Sequence, residues 1–357
     1  MENKIIIEKI KRLLDEKKSE ELKGLAGGLH PNDFSEIAEE LSSEQIIEIF
    51  QLIKDREKIG EYISELNSEL QTDLLSAMSK KQASEILEEM DTDEAVDILG
   101  EIAPEESREI LDLMSKEEAD EIKELMKYEE NTAGSIMNNE FLTLPEHLTS
   151  EQAIQHIREI GSEAEMIYYV YVLDKRKRLI GVLSFRDLLV ADVKKKISEI
   201  MKEDVISVLD TEDREVAARV ISDYDFLAIP VINKKGVMVG IITVDDIIDV
   251  LQEEATEDIH KTVGSTEYYE DKLIKTTPLS RAKARLPWLL VCMVGEIISG
   301  SVIELHSGIL EVVVALAFFV PVLMDMGGNV GAQSSTITVR GWQSGRFVWT
   351  NYGKMYG

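Results

Sequence analysis

Between residues 30 and 126 the apolar positions repeat every twelve residues. Eight units start at His30, Ser42, Asp55, Asn67, Ser79, Asp91, Ala103 and Ser115, with Lys54 as one inserted residue. In SSEQIIEIFQLI the apolar positions are Ile46, Ile49, Phe50 and Ile53. In DTDEAVDILGEI they are Ala95, Ile98, Leu99 and Ile102, and in HPNDFSEIAEEL they are Phe34, Ile37, Ala38 and Leu41. Steps of three, one and three line one face of a helix. Gln71 and Lys123 depart from the pattern. Six units open with Ser, Asp or Asn, which are good helix N-caps, and the other two carry Pro31 or Pro104 in the first turn. Helices this short are unstable alone. The pattern therefore predicts a stacked all-α superhelix.

A longer repeat follows. SIMNNEFLTL (135–144) matches EIMKEDVISV (199–208), and LIGVLSFRDLL (179–189) matches MVGIITVDDII (238–248). Each copy reads as helix, two strands, helix. The predicted strands are MIYYVYVL and RLIGVLS, then FLAIPVIN and VMVGIIT, whose β-branched and aromatic content suits buried α/β strands. Gly-apolar-apolar-Ser/Thr-x-x-Asp occurs as Gly181, Ser184, Asp187 and again as Gly240, Thr243, Asp246. This tandem pattern resembles a pair of cystathionine-β-synthase (CBS) domains, which often bind adenine nucleotides between the copies. The resemblance implies that Asp187 holds ribose hydroxyls, Arg186 meets phosphate, and Tyr169 and Phe226 flank the base. The alternative is that Asp187 and Asp246 cap the helices that follow them.

The last part of the chain changes character. Leu286 to Ile303 is apolar apart from Glu296, long enough for a membrane helix. A second predicted span, GILEVVVALAFFVPVLMDMGGNVGAQSSTITV, carries Pro321 and Gly327-Gly328-Asn329. These residues are expected to break helical bonding and leave oxygen groups for a hydrated cation; close packing at small residues is the alternative. Lys272, Lys275, Arg281, Lys283 and Arg285 precede the first span without an intervening acid. That flank, and the lack of a signal-peptide pattern in the first fifteen residues, place residues 1–285 in the cytoplasm.

Charge sharpens the division. The chain has 69 acidic and 39 basic residues, a net charge of −30. An acidic body argues against nucleic acid as a partner. One cysteine, Cys292, excludes a disulfide framework and a cysteine-based zinc site. Five scattered histidines and the absence of hydrolase or phosphate-loop spacing argue against an enzyme. Asp93 and Asp97, four apart on one helix, repel each other. Asp213, Glu215, Asp223, Asp225, Asp245, Asp246 and Asp249 form a second acidic group, continued by Glu253, Glu254, Glu257 and Asp258. A hard divalent cation such as Mg²⁺ or Ca²⁺ would bring such faces together. No EF-hand loop is present.

Taken in order, the acidic repeats, YEENTAGSIM (128–137), the CBS pair, EATEDIH (254–260) and FVPVLMDMGGNVGAQSSTITVRG (319–341) resemble the MgtE family of magnesium transporters. The implied layout is multidomain. An acidic helical domain (1–130) precedes a first CBS domain (131–199) and a second (200–256). A connecting helix and basic linker (257–285) then lead to an α-helical membrane segment (286–357). The resemblance implies a homodimeric Mg²⁺ channel in the cell membrane, multi-pass and gated by cytosolic Mg²⁺, with ATP as a second ligand. By motif, Asp93 and Asp97 lie on the helical side. Asp213, Glu215 and Asp225 lie on the CBS face. Asp246, Asp249, Glu254, Glu257 and Asp258 lie toward the connecting helix. Gly328 and Asn329 line the pore. The family has five membrane helices; two spans are read here before WQSGRFVWTNYGKMYG leaves the pattern, which implies that the later helices are missing and that this chain alone does not conduct. The competing expectation is a membrane-anchored CBS protein that senses Mg²⁺ or adenine nucleotide without conducting.

Overall fold

All eight expected unit starts are helix N-caps in the computed structural model, which describes residues 2–160, 166–263, 278–308, 313 and 318–343. The array begins with α1 (Glu2–Asp15) and α2 (Ser19–Ala26). The eight repeat helices follow: α3 (Pro31–Ala38), α4 (Ser43–Ile53), α5 (Arg56–Ser64), α6 (Ser68–Ala77), α7 (Lys80–Leu87), α8 (Thr92–Glu101), α9 (Pro104–Leu111) and α10 (Lys116–Leu125). Ser42 and Ser79 form full capping boxes with Gln45 and Gln82. The inserted Lys54 ends α4 in the left-handed conformation, at φ 62°.

From α2 onward each helix packs on the one two places ahead. The apolar face of every unit thereby enters one continuous core that includes Phe34, Ile37, Ile46, Ile49, Ile98 and Leu99. Phe34 stacks between Phe50 and Tyr62, and the Tyr62 hydroxyl bonds the carbonyls of Ala26 and Leu29. Gln71 breaks the repeat because it works as a polar clamp. Its Nε2 lies 2.9 Å from Ile63 O and 3.1 Å from Ser64 O at the end of α5, where helix carbonyls lack partners.

The two α/β copies follow. The first comprises β1 (Phe141–Pro145), α11 (Ser150–Ile160), β2 (Met166–Leu173), β3 (Leu179–Ser184) and α12 (Phe185–Val190). After α13 (Ile197–Ile200) the second comprises β4 (Val208–Leu209), α14 (Arg214–Tyr224), β5 (Ala228–Ile232), β6 (Met238–Thr243) and α15 (Val244–Val263). Each sheet has three strands, so the two-strand expectation falls short by one per copy. In both, the added first strand runs parallel to the second, and the second pairs antiparallel with the third.

The copies exchange short arms. Val182 bridges Lys202, and Ile241 bridges Asn138. Gly181 and Gly240 permit this approach. A Cβ on Gly181 would meet Met201 Sδ at 2.5 Å, and one on Gly240 would meet Asn138 O at 2.8 Å.

The chain divides into two units, Met1–Ile248 and Asp249–Gly357. The second contains α16 (Pro278–Leu305) and α17 (Phe319–Gln343). Leu286–Leu305 is long and apolar enough to cross a membrane, with mean hydropathy 1.9 and none of it buried. It is the one such helix among the described residues. Residues 309–312 and 314–317 of the second expected span, and Lys272 and Lys275 of the basic flank, lie outside the described residues. α17 corrects one expectation. It runs unbroken through Pro321, Gly327 and Gly328. Pro321 is the third residue of the helix, where its missing N–H costs no helical bond. Glycine weakens a helix by about 1 kcal/mol without ending it.

Candidate functional site

The first turn of α8 is where the acidic array meets the second α/β copy. Thr92 and Asp93 are buried there, and both reach the arm that precedes β1. Asn138 Nδ2 donates to Asp93 Oδ1 at 3.1 Å. Thr92 Oγ1 donates to Glu140 Oε1 at 2.9 Å. Asn138 is wholly buried and fixed on both sides. Its backbone N–H and C=O each bond Ile241 of β6 at 2.8 Å, and its Oδ1 accepts from Glu140 N at 2.6 Å.

Asp93 thus has a hydrogen bond but lies among like charges. Burial pushes its carboxyl well above the usual range, and Asp246, Glu94 and Asp91 push it further. Glu94 is raised to about 7, first by burial, against the opposing bond from Ser64 Oγ at 2.6 Å, with Asp91, Asp246 and Glu65 adding to the rise. Asp91 is raised by burial, Asp245 and Glu61. Asp91 occupies the N-cap position of α8, yet its side chain makes no cap bond. Asp246 Oδ2 accepts from Thr243 Oγ1 at 2.5 Å and Thr243 N at 3.2 Å, which holds it at the start of α15.

Carboxylates so disposed must hold protons or gain a cation. Oxygen donors without sulfur or imidazole suit a hard, hydrated ion. Among the described residues, no three or more acidic, histidine or cysteine side chains form a ready-made metal cage. The arrangement is two acidic surfaces that a hydrated ion would join.

Of the residues expected from sequence, the structure brings Asp93 and Asp246 within electrostatic reach. Asp97 is exposed on α8, away from the burial that shifts Asp93. Asp213 and Asp225 cap opposite ends of α14, about 18 Å apart at ~1.5 Å per residue, so they do not share one ion. Asp213 Oδ1 accepts from Glu215 N at 2.9 Å, a local cap, and Glu215 is exposed. Asp249 is exposed and Glu254 half-buried, both on α15. The side chains of Glu257 and Asp258 lie outside the described residues. Asp91, Glu94, Asn138 and Glu140 were missed. Asp91 reads as an ordinary cap and Asn138 as a linker residue.

The first copy carries other expected residues. Ser184 caps α12: its Oγ accepts from Asp187 N at 3.0 Å and donates to Asp187 Oδ2 at 2.7 Å. Asp187 is therefore the third-position partner of the Ser184 cap. Thr243 and Asp246 repeat the hydroxyl–carboxylate pair, and Asp246 also accepts from Thr243 N at 3.2 Å, so it takes part in capping α15 as the alternative expected. Tyr169 is half-buried and pairs with Ser184 across the sheet. Arg186 is exposed, and Phe226 stacks on Tyr224 at 5.4 Å between ring centroids. Where the first copy has Arg186 and Lys202, the second has Asp245 and Asn138. The positions that are basic in the first copy are thus acidic or neutral in the second.

Residues 29–131 match the MgtE intracellular N domain, and residues 133–194 and 197–253 each match the CBS domain. The crystal structure of the soluble part of a magnesium transporter is 36% identical, with a TM-score of 0.66, covering 71% of this chain and 99% of that one. The chain belongs to the MgtE family. The magnesium transporter MgtE of Thermus thermophilus is 42% identical over 211 residues, which are 59% of this chain and 47% of that protein. MgtE of Bacillus subtilis is 42% identical over 211 residues, 59% of this chain and 46% of its own. The chain spans about half the length of these curated relatives. The cytosolic domain of the Mg²⁺ channel MgtE solved in complex with ATP is 35% identical, with a TM-score of 0.65, covering 68% of this chain and 98% of that one. These MgtE relatives are described as transporters or channels.

Proposed function

We propose that this chain serves the movement of Mg²⁺ across the cell membrane and that residues 1–285 are its cytoplasmic Mg²⁺ sensor. The observation that carries the sensor is Asp93, buried at the array's edge and pushed upward by Asp246 of the second CBS copy. At low Mg²⁺ the repulsion drives the array from the CBS pair. At high Mg²⁺ a hydrated ion joins Asp93, Asp91 and Glu94 to Asp245 and Asp246. The other expected acids, Asp97, Asp213, Glu215, Asp225, Asp249, Glu254, Glu257 and Asp258, would take additional Mg²⁺ ions rather than this one. Gly328 and Asn329 on α17 belong to the ion path, where the Asn329 amide lies 3.2 Å from Asp325 Oδ2. The relatives support this reading because they are magnesium transporters. Working as a homodimer follows from the same family.

The test is twofold. Mg²⁺ should protect the 126–140 junction from protease in the full chain, and Asp246→Ala should remove that protection. Mg²⁺ entry into vesicles, read with a trapped dye, tests transport itself. Equal cleavage with and without Mg²⁺ sinks the sensor reading.

A second reading is favoured by the Ser184–Asp187 pair and by the relative solved with ATP. The first CBS cleft takes an adenine nucleotide, with Asp187 on the ribose, Arg186 on phosphate, and Tyr169 and Phe226 at the base. It coexists with the sensor. A chain that binds both ligands yet conducts no Mg²⁺ would match the non-conducting alternative.

A further inference from the structure

The CBS pair carries a basic edge that neither the ion nor the nucleotide reading uses. The β2–β3 turn holds Lys175, Arg176, Lys177 and Arg178, and the β5–β6 turn holds Lys234 and Lys235. All six are exposed. They are far apart in sequence, but the fold joins the two turns. Leu179 N bonds Gly236 O at 3.2 Å, Met238 N bonds Lys177 O at 3.1 Å, and Arg178 bridges Val237. The turns are also rigid. Asp174 Oδ1 accepts from Arg176 N and Arg178 N, and Asn233 Oδ1 accepts from Lys235 N and Val237 N. Lys177 and Gly236 both take left-handed backbone, φ 58° and 75°, which tightens each hairpin. Asp174 pairs with Arg178 alone, at 2.7 Å.

Six cations on one edge are out of character in a chain of net charge −30. They sit on paired hairpin tips with no aromatic residue among them, a shape for a broad anionic surface rather than a small enclosed ligand. We infer that this double-hairpin edge docks on anionic lipid headgroups at a membrane surface. The inference rests on the membrane reading of α16, which keeps the CBS pair at high effective concentration near a bilayer. The acidic array at residues 1–130 is repelled by the same surface, which favours approach through a basic part of the CBS pair. Each Lys or Arg near such a surface contributes about 1 kcal/mol, within a Debye length of ~8 Å.

The experiment uses the full chain with Cys292→Ser and a fluorophore on Lys175→Cys. It is placed in phosphatidylcholine vesicles with or without about 30 mol% phosphatidylglycerol, both containing a headgroup-labelled quencher lipid. Flotation with the neutral vesicles reports the membrane reading separately. The expected result is quenching that needs the anionic lipid and disappears at high salt. Arg176→Glu with Lys234→Glu and Lys235→Glu should abolish it, and Lys234→Arg with Lys235→Arg should keep it. The single Lys235→Ala should weaken it about fivefold. Quenching equal in both lipids overturns the inference even where flotation succeeds. Quenching that tracks protein density at fixed lipid also overturns it, and assigns the edge to the acidic face of a second copy.

Discussion

Asn138 and Asp93, 45 residues apart in sequence, are joined by a 3.1 Å hydrogen bond across the boundary between the helical array and the second CBS copy. Asn138 is zipped to β6 through its backbone, so Asp93 is held by a rigid donor. This bond meets Asp93 where the acidic helix end lies against the acidic CBS surface. A single amide bond offsets only part of the cost of burying a carboxylate.

Asn138→Ala should therefore leave Asp93 buried with its amide donor gone. The expected loss is about 1–3 kcal/mol, read as a lower melting temperature in millimolar Mg²⁺, where the array is closed. Asn138→Asp should lose more, because it replaces the donor with another negative charge. A melting temperature unchanged by either substitution would show that the bond contributes nothing.

Acidity offers an independent handle. Glu94 ionises at about 7 in the folded chain against an ordinary 4.5, and Asp93 is shifted the same way. Between those values the folded chain holds protons that the unfolded chain has released. Stability should then fall as pH rises through this window, by about 1.4 kcal/mol per pH unit for one fully titrating group. In chelator the melting temperature should be higher near pH 5 than near pH 7.5. Millimolar Mg²⁺ should flatten the slope by binding the ionised form. A rising slope in chelator would contradict the buried-acid geometry.

The nucleotide cleft predicts a contrast between the two copies. Asp187→Ala should abolish adenine-nucleotide binding in calorimetry, and Arg186→Glu should weaken it by at least tenfold through phosphate repulsion. Asp246→Ala occupies the corresponding place in the second copy and should leave nucleotide affinity unchanged. Equal losses at both positions would mean that the copies share one ligand.

The junction between array and CBS pair depends on close backbone approach. A Cβ on Gly134 would lie 2.4 Å from the Tyr128 ring and 2.8 Å from Asp210 O. Gly134→Ala should cost about 1–3 kcal/mol of stability, in keeping with overpacking. A denaturant midpoint within error of the parent would show that the segment relaxes freely.

These residues also mark how far the sequence could be read. Helix starts from His30 to Ser115 were legible because caps and apolar steps are local chemistry. β1 and β4 were not, because Phe141–Pro145 includes a proline and Val208–Leu209 has two residues; both become strands only by pairing with β2 and β5. Asp93 was legible as one of a repelling pair, but its burial depends on Asn138, which no local pattern marks. Asp91 was hidden by its resemblance to a cap. Pro321 and the glycine pair were read as breaks, although position in the helix decides whether proline breaks it.

The central claim is that Mg²⁺ closes the array onto the second CBS copy through Asp93 and Asp246. The most direct measurement is a distance between spin labels on Glu101→Cys in α8 and Lys235→Cys in the β5–β6 turn, in the full chain carrying Cys292→Ser. In millimolar Mg²⁺ the account predicts one narrow distribution, broadening and lengthening in chelator, with Asp93→Asn plus Asp246→Asn removing the difference. The same distribution with and without Mg²⁺ in the parent chain would contradict it.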